Sequence, residues 1–306
     1  MIVKFALALP ELAFKLAGFL SISVYDHMRV LLSSPKSLQG EICLITGGGS
    51  GIGRGIAIEL AKLGAIVVLW DINIQGAEDT AAMIRRTGGH AATYKVDVTN
   101  KDEVYAVADR VRSEVGEVTV LINNAGIVSG KKIFDPENND AYMVKTMEVN
   151  TISHFWTVKA FLPSMIERNH GHLVTVASSA GMIGVNGLAD YCASKFGAIG
   201  FHESVAAELH TMKKFGVKTT LVNPFFINTG MFDGVKSSND LFLPVLEPAY
   251  VVKRVIQGIR KNNTVVYMPW LVSTMYFLKC FPYSAQMYLA DYFEIGRSMD
   301  HFKGRK

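Results

Sequence analysis

The sequence predicts an α/β fold: a single Rossmann-like, doubly wound parallel sheet with helices on both faces. From residue 41 onward, short β-branched runs alternate with amphipathic helical patterns, and a glycine-rich loop directly follows the first run. Strand, helix and strand in succession require crossover connections, which make neighbouring strands parallel. About seven strands are expected, at residues 42–46, 66–70, 92–96, 118–123, 173–177, 218–223 and 264–268.

Composition and charge exclude several classes of protein. With 306 residues, 49% hydrophobic and 19% charged, the chain is long and apolar enough for a large core. The net charge of +4 is too small and too scattered to indicate a nucleic-acid-binding protein. Cys43, Cys192 and Cys280 lack the C-x-x-C spacing of zinc or redox sites, so we expect reduced thiols and no metal site.

Residues 1–36 are predicted to form a membrane-associating segment and linker, followed by one folded domain at 37–306. The segment is largely apolar, but no uncharged stretch reaches the roughly 18 residues of a spanning helix. On a helix its charges fall within one wedge of about 60°, the pattern of a helix lying in a membrane interface. Interior charges argue against a secretory signal peptide, whereas a helix packed on the protein's own surface stays open. The charged residues before the linker at 33–37 are Lys4, Glu11, Lys15, Asp26 and Arg29.

The glycine-rich loop between the first strand and a helix predicted at 54–63 is typical of a phosphate site. Gly47, Gly51 and Gly53 let the backbone approach a pyrophosphate closely. Ser50 and Ile52 lie at the helix N-terminus, where unpaired N–H groups and the helix dipole favour an anion. We therefore predict that these five residues bind a dinucleotide; an ordinary exposed turn is the alternative.

Asp71 ends the second predicted strand, 24 positions after Gly47, where a carboxylate can hold a ribose diol. The same carboxylate would repel the 2′-phosphate of NADP, and neither Ser50 nor Ile72 is a compensating cation. Arg54 follows the loop and keeps NADP open as the less favoured cofactor. The sequence therefore predicts NAD, bound in part by Asp71 and Ile72.

Tyr191 and Lys195 are four residues apart, so on a helix they project from one face and place an ammonium beside a phenol. A nearby positive charge favours phenolate, which makes a tyrosine a usable base near neutral pH. Alone, this spacing is more common on an ordinary helix. Together with a dinucleotide site, it indicates acid–base chemistry in which Tyr191 takes a proton and Lys195 lowers the pKa of Tyr191.

With Asp97-Val98, Asn123 to Gly126, Asn150 and Ser178 in the same order, the chain resembles the short-chain dehydrogenase/reductase family over about residues 38–270. The resemblance implies alcohol oxidation by hydride transfer to the cofactor. It implies that Asp97 and Val98 lie by the adenine. It also implies that the strand end bearing Asn123, Ala125 and Gly126 supports the cofactor.

The resemblance extends to the loop after the sixth strand. Pro224, Ile227 and Thr229 fit the family's pattern for contacts to the nicotinamide and phosphates. Phe225 stands where the family usually has glycine, and it narrows the space there. In the family the lysine at Lys195 also holds the nicotinamide ribose.

The family's remaining catalytic positions fall on Ser178 and Asn150. Ser178 would orient the substrate oxygen, and its spacing to Tyr191 matches the family, although Ser179 is a rival assignment. Asn150 resembles the helix asparagine that links the lysine through water to solvent; an ordinary interior polar residue is the alternative. Dimerisation through the helices bearing Asn150 and Tyr191 is a family expectation.

The stretch 186–196 and the tail at 290–300 resemble a membrane-associated branch that includes retinol and 17β-hydroxysteroid dehydrogenases. That likeness implies oxidation of retinol to retinaldehyde, with a steroid or another lipid alcohol as the alternative. An apolar insertion at 228–248 is expected to cover the substrate, although its residues could instead close the core or touch the membrane. The apolar extension at 269–306 begins with a second apolar patch that contains interfacial aromatic residues. We expect a cytosol-facing protein of the endoplasmic reticulum membrane or lipid droplets. A membrane scaffold with incidental catalysis is the alternative of another class.

Overall fold

The computed structural model describes residues 34–237 and 241–304, together with eight isolated positions between residues 15 and 32. Within these residues seven strands form one parallel sheet in the order β3-β2-β1-β4-β5-β6-β7. The strands are β1 (Ile42–Thr46), β2 (Ile66–Asp71), β3 (His90–Lys95), β4 (Val120–Asn123), β5 (Gly171–Val176), β6 (Val217–Pro224) and β7 (Val265–Met268).

Helices connect the strands and cover both faces of the sheet. They are α1 (Gly51–Lys62), α2 (Ile74–Arg86), α3 (Lys101–Glu114), α4 (Asp140–Met147), α5 (Ser153–Arg168), α6 (Ala189–Thr211), α7 (Pro248–Lys261), α8 (Met275–Leu278) and α9 (Tyr283–Tyr292). A π-turn, Glu148–Ile152, joins α4 to α5, and short 3-10 turns include Ser179–Gly181 and Gly230–Phe232.

Three of the helices begin at an asparagine whose side chain caps them. Asn73, Asn100 and Asn139 each accept a hydrogen bond from a backbone N–H in the first turn of α2, α3 and α4. Such caps satisfy one of the donors that a helix N-terminus leaves unpaired. α1 differs, because Ser50 makes no side-chain cap to it.

The core consists of two hydrophobic clusters, one on each face of the sheet. One contains Ile56 and Leu60 of α1 and Val255 of α7. The other contains Trp70 of β2 and Phe161 of α5, whose rings lie 5.5 Å apart. The strands are therefore apolar on both sides, as parallel sheets between two helical layers require.

At the amino-terminal edge of the sheet, Lys36 ties the start of the domain to β5 and β6. Its Nζ lies 2.9 Å from Nδ1 of the fully buried His172, and Nε2 of His172 lies 2.8 Å from Thr220 Oγ1. The Lys36 backbone N–H donates to the Arg260 carbonyl at 2.8 Å. Because an ammonium can only donate, Nδ1 of His172 is the acceptor and Nε2 carries the hydrogen.

The structure confirms the predicted α/β class and the seven parallel strands. Each strand lies within two residues of its predicted bounds; β1 matches, whereas β3 and β5 begin two residues early. α1 begins at Gly51, three residues before the predicted start.

The predicted membrane segment at 1–36 lies largely outside the described residues. Among the residues that the structure describes, no helix is long and apolar enough to cross a membrane. Residues 238–240 of the expected insertion also lie outside the described part.

Candidate active site

A cavity of about 520 Å³ opens at the carboxyl ends of the strands, beside the point where β1 and β4 are neighbours. In this strand order the connections leave β1 and β4 toward opposite sides, which creates a crevice where open α/β sheets bind ligands. Nearly all of the sequence-predicted cofactor and catalytic residues line it. They are Gly47, Ser50, Gly51, Ile52, Gly53, Asp71, Ile72, Asp97, Val98, Ala125, Gly126, Ser178, Tyr191, Lys195, Pro224, Ile227 and Thr229.

The glycine-rich loop forms one end of the cavity. Gly47 and Gly51 have positive φ angles of 68° and 54°, which favour glycine. A Cβ on Gly53 would collide with the Gly47 carbonyl oxygen, so α1 can approach the loop only because Gly53 lacks one. The α1 N-terminus, with no side-chain cap from Ser50, presents backbone N–H groups there. This arrangement fits a pyrophosphate.

Asp71 lies at the rim next to the glycine-rich loop. Its Oδ2 accepts from the Gly49 N–H at 2.8 Å and its Oδ1 from the Asn73 N–H at 2.9 Å. A carboxylate has about four acceptor positions, so these two bonds fix its orientation and leave acceptors for a ribose diol. The neighbouring Ile72 is 61% exposed and gives the rim an apolar surface.

Arg54 is directed away from this rim and into the protein. Its Nη2 donates to the Gly49 carbonyl at 2.5 Å, and its Nε donates to Thr80 Oγ1 at 3.0 Å. Arg54 does not line the cavity. Arg54, the cation for which the sequence left NADP as a possible cofactor, therefore holds the glycine-rich loop against α2.

Of the two neighbouring asparagines at the end of β4, Asn124 and not the predicted Asn123 lies on the cavity wall. Asn123, predicted to contact the cofactor, does not line the cavity; its Oδ1 accepts from Thr157 Oγ1 at 2.8 Å beneath the sheet. Asn124 lines the cavity instead, and its Nδ2 donates to the Thr46 and Gly47 carbonyls. The reason is strand alternation, which turns consecutive side chains to opposite faces.

Lys145 is a cavity residue that the sequence reasoning missed. Its Nζ donates to Asp97 Oδ2 at 3.1 Å and to Thr99 Oγ1 at 2.6 Å, which ties α4 to the predicted adenine region. Lys145 lies five residues before Asn150, so the helical segment that carries a predicted catalytic residue also reaches the adenine end. No local motif marks Lys145, since its partner is 48 residues away.

Tyr191 and Ser178 meet at the other end of the cavity. Tyr191, in the first turn of α6, is almost fully buried. Burial raises the pKa of Tyr191, although a hydrogen bond from Ser178 lowers it in part. Ser178 caps the turn Ser179–Gly181, accepting from the Ala180 N–H at 3.1 Å. Ser179 does not line the cavity, which favours Ser178 of the two candidates.

Lys195 lies on the same face of α6 as Tyr191, as the spacing predicts. Its Nζ is 5.7 Å from the Tyr191 ring centroid and donates to the Val176 carbonyl at 3.0 Å. Burial lowers the pKa of Lys195 to about 8. The predicted lowering of the Tyr191 pKa by Lys195 is not seen: burial of the phenol raises this pKa, and the group that lowers it in part is Ser178.

Asn150 is fully buried in the π-turn, behind the cavity rather than on its wall. Its Oδ1 accepts from the Ile127 N–H, and its Nδ2 donates to the Ile127 carbonyl and to Ser194 Oγ, each at 2.9 Å. A Cβ built on Gly126 would lie 3.3 Å from Asn150 Oδ1 and 3.7 Å from Lys195 Nζ. Asn150 therefore positions the loop that faces Lys195.

Aromatic side chains form the wall beyond Tyr191. The Phe232 ring meets the Tyr191 ring edge-on at 5.8 Å and the Phe226 ring at 5.3 Å. Phe226 in turn meets Phe225 at 4.7 Å. Phe225 and Phe232 line the cavity, so the phenylalanine that replaces the usual glycine contributes to an apolar surface.

Known proteins are similar to this chain in sequence. A family profile described as short chain dehydrogenase matches residues 41–240. Human epidermal retinol dehydrogenase 2 is 49% identical over 299 residues, covering 95% of this chain and 96% of the relative. Human retinol dehydrogenase 10 is 46% identical over 271 residues, covering 80% of this chain and 79% of the relative.

Two solved structures have the same fold. A short chain dehydrogenase/reductase from Burkholderia phymatum in complex with NAD superposes with a TM-score of 0.70 at 25% identity, covering 78% of this chain and 93% of that protein. A metagenomic short-chain oxidoreductase in complex with NADP has a TM-score of 0.64 at 28% identity, covering 76% and 98%. From its sequence match, its sheet and its cavity, the chain belongs to the short-chain dehydrogenase/reductase family.

Proposed function

We propose that this protein oxidises a hydrophobic alcohol with NAD, converting all-trans-retinol to retinaldehyde. The observation that carries the proposal is the position of Tyr191 and Ser178, at the meeting point of a dinucleotide cradle and an apolar wall. A relative of nearly full coverage is named a retinol dehydrogenase, which supports retinol within the broader class of lipid alcohols.

The proposed chemistry moves a proton and a hydride in opposite directions. NAD, when bound, supplies the carbon that accepts the hydride from the carbinol. Tyr191, as phenolate, accepts the hydroxyl proton. Ser178 donates a hydrogen bond to the substrate oxygen and stabilises its developing negative charge. The alcohol thereby loses one hydride and one proton and becomes the aldehyde.

Lys195 and Asn150 have supporting roles in this step and do not take part in the proton transfer. An ammonium has three N–H donors. Lys195 uses one of them for the Val176 carbonyl, and this hydrogen bond fixes the position of the ammonium. In our proposal the other donors hold the nicotinamide ribose. Asn150 fixes Ile127 and the loop beside Lys195.

NAD is proposed over NADP on two contacts. The Asp71 carboxylate, held in place by two backbone N–H groups, would repel a 2′-phosphate. Arg54, the nearest candidate for a compensating cation, is bonded to Gly49 and Thr80. Measured NADP preference of more than about tenfold, roughly 1.4 kcal/mol, would contradict this assignment.

We also propose that the protein acts at a cytosol-facing membrane surface, of the endoplasmic reticulum or lipid droplets. The apolar segment at 1–36 is one support. The other is the region 270–292, where aromatic side chains of the kind found at membrane interfaces are exposed. They include Trp270, Phe277, Tyr283, Tyr288 and Tyr292.

Deleting residues 1–34 and replacing Trp270 and Tyr288 by serine should each weaken membrane association, whereas Phe215→Ser should not. Unchanged fractionation would reject the membrane proposal.

Turnover of a substrate panel tests the proposed activity. Membrane-embedded protein is incubated with NAD and retinol, estradiol or a long-chain alcohol, and NADH is followed by absorbance. Tyr191→Phe removes the proton acceptor and should abolish turnover; Tyr250→Phe, on the exposed surface of α7, is the matched control. Turnover of the steroid alone would replace retinol by the rival substrate. Equal turnover by Tyr191→Phe would reject the enzyme and leave the scaffold alternative.

A further inference from the structure

The carboxyl-terminal residues 295–304, which we call the strap, cross three loops around the catalytic end of the cavity. Each loop has a glycine with positive φ: Gly130 at 68°, Gly187 at 76° and Gly234 at 85°. Each of these glycines faces the strap, and the partners are Phe302, Met299 and His301 respectively. A Cβ on Gly130 would collide with the Phe302 ring, and one on Gly234 with the His301 carbonyl oxygen.

The strap is hydrogen-bonded to the substrate loop, which we define as residues 230–236. The Asp233 carbonyl accepts from the Lys303 N–H at 2.9 Å and the Gly304 N–H at 3.4 Å. The N–H of Lys236, which is three residues after Asp233 in the substrate loop, donates to the Ser298 carbonyl at 3.3 Å. Backbone bonds therefore hold both sides of the turn at Gly234 against the strap.

Side chains anchor the strap to the rest of the protein. Met299 is buried in the hydrophobic cluster that also contains Tyr191 and Leu188, and Phe302 packs against this cluster. Asn186 Nδ2 donates to the Gly296 carbonyl at 2.8 Å. Asn186 and Gly187 belong to the loop that leads directly into Tyr191. The strap thus joins the substrate loop to the segment that carries the proposed base.

Phe232 connects this arrangement to the chemistry. It lies in the substrate loop, immediately before the strap-bonded Asp233, and its ring meets that of Tyr191. We propose that the strap determines which alcohols are accepted, because it fixes the position of Phe232 over Tyr191. The proposal rests on the proposed dehydrogenase activity, and it makes Phe302 and Met299 positioning residues for substrate specificity.

A purely structural strap would behave differently. If residues 295–304 only added packing energy, their loss would lower stability and reduce turnover of every alcohol in proportion. A strap that positions Phe232 affects mainly those alcohols that are large enough to contact the apolar wall. The ratio between a large and a small substrate distinguishes the two roles.

The test uses Phe302→Ala and Met299→Ala in the full chain. The matched control is Phe215→Ala. Phe215 is an exposed phenylalanine that precedes β6, at the amino-terminal ends of the strands and away from the cavity. Two allylic alcohols are compared, all-trans-retinol and the five-carbon 3-methylbut-2-en-1-ol. We expect kcat/KM for retinol, relative to the small alcohol, to fall at least fivefold in both strap variants. The KM for NAD should change less than this ratio, since the strap does not touch the glycine-rich loop.

Amide hydrogen exchange supplies a readout that does not depend on turnover. Backbone amides of residues 230–236 should exchange at least tenfold faster in the strap variants, while those of residues 47–53 keep their wild-type rates. An unchanged substrate ratio, or unchanged exchange in the substrate loop, would overturn the proposal. If the wild-type protein oxidises no alcohol, the proposed function fails, and the exchange rates still decide whether the strap holds the substrate loop.

Discussion

Asn150 is bonded through its side-chain amide to both backbone polar groups of Ile127, each at 2.9 Å. This pairing imitates a strand contact at a point where the chain has left β4 and has no neighbouring strand. Asn150→Leu would leave the partly buried N–H and C=O of Ile127 without these partners, which costs up to about 1–3 kcal/mol in free energy of unfolding for each group. Thermal unfolding of the variant should show a lower Tm, and kcat should fall because the loop beside Lys195 moves.

Asn150→Asp sharpens this prediction. The carboxylate keeps an acceptor for the Ile127 N–H but loses the Nδ2 donor to the Ile127 carbonyl and to Ser194. We expect a loss of stability and activity in Asn150→Asp as well. A Tm equal to that of the wild type in both variants would show that these bonds do not hold the loop.

The pH dependence of alcohol oxidation should report on Ser178. Burial raises the pKa of Tyr191 and the Ser178 hydrogen bond lowers it, so removing that bond raises the pKa further. Since oxidation needs the phenolate, activity should rise with pH, and Ser178→Ala should move this rise to higher pH. Its kcat should also fall by roughly 10²–10³.

Ser179→Ala is the control for this profile, because Ser179 lies beside Ser178 but does not line the cavity. We expect its pH profile and kcat to match the wild type closely. An inactive Ser179→Ala enzyme together with a nearly normal Ser178→Ala enzyme would reverse the assignment.

Cofactor preference should depend on Asp71 and not on Arg54. Asp71→Ser removes the negative charge at the rim, and the NAD over NADP preference, measured as the ratio of kcat/KM values, should fall at least tenfold, about 1.4 kcal/mol. Arg54→Met should leave this ratio within twofold. It should lower the Tm instead, because the Gly49 carbonyl and Thr80 lose their partner. Selective loss of NADP turnover in Arg54→Met would show that the guanidinium reaches the 2′-phosphate.

Three buried histidines should make the fold sensitive to acid. Burial lowers the pKa of His154 to about 3 and that of His202 to about 4, and it holds the pKa of His172 well below the usual value. Below the unfolded-state pKa of about 6.5, the unfolded chain binds protons that the folded chain does not. Stability is therefore full above that pH and is lost as the pH falls, by up to roughly 1.4 kcal/mol per pH unit for each histidine.

Denaturant unfolding at pH 7, 6 and 5 measures this slope, and His154 allows a clean test. Within the described residues its Nδ1 has no hydrogen-bond partner, and its ring lies 6.3 Å from that of Phe201. His154→Phe should reduce the pH dependence by about a third. An unaltered slope in His154→Phe would mean that this histidine is protonated in the folded state.

The features predicted from sequence are those that short-range patterns encode. The strands follow from apolar runs of a few residues, and the glycine-rich loop follows from φ angles and close approach at Gly47 and Gly53. Tyr191 and Lys195 share a face because helical geometry alone places them there. Each of these inferences needs fewer than ten neighbouring residues.

The remaining features depend on partners that are distant in sequence. Lys145 reaches Asp97 and Thr99 only because α4 returns to the sheet edge, and Arg54 turns inward because α2 provides acceptors. Tyr191 has a raised pKa because of its burial, a property of the assembled fold that its own helix does not reveal. The strap contacts of Gly130, Gly187 and Gly234 likewise join segments that are remote in the chain.

The π-turn Glu148–Ile152 has a consequence for insertions and deletions. Its wide hydrogen bond, from the Ser153 N–H to the Glu148 carbonyl, accommodates one residue more than an α-helical turn would. One residue corresponds to about 100° of rotation, so α4 can direct Lys145 toward Asp97 while α5 directs Phe161 into the core. Deleting a single residue here would restore a continuous helix and put these two faces out of phase. Because of this angular offset, the continuous segment formed by α4, the π-turn and α5 contacts both the cavity and the hydrophobic core.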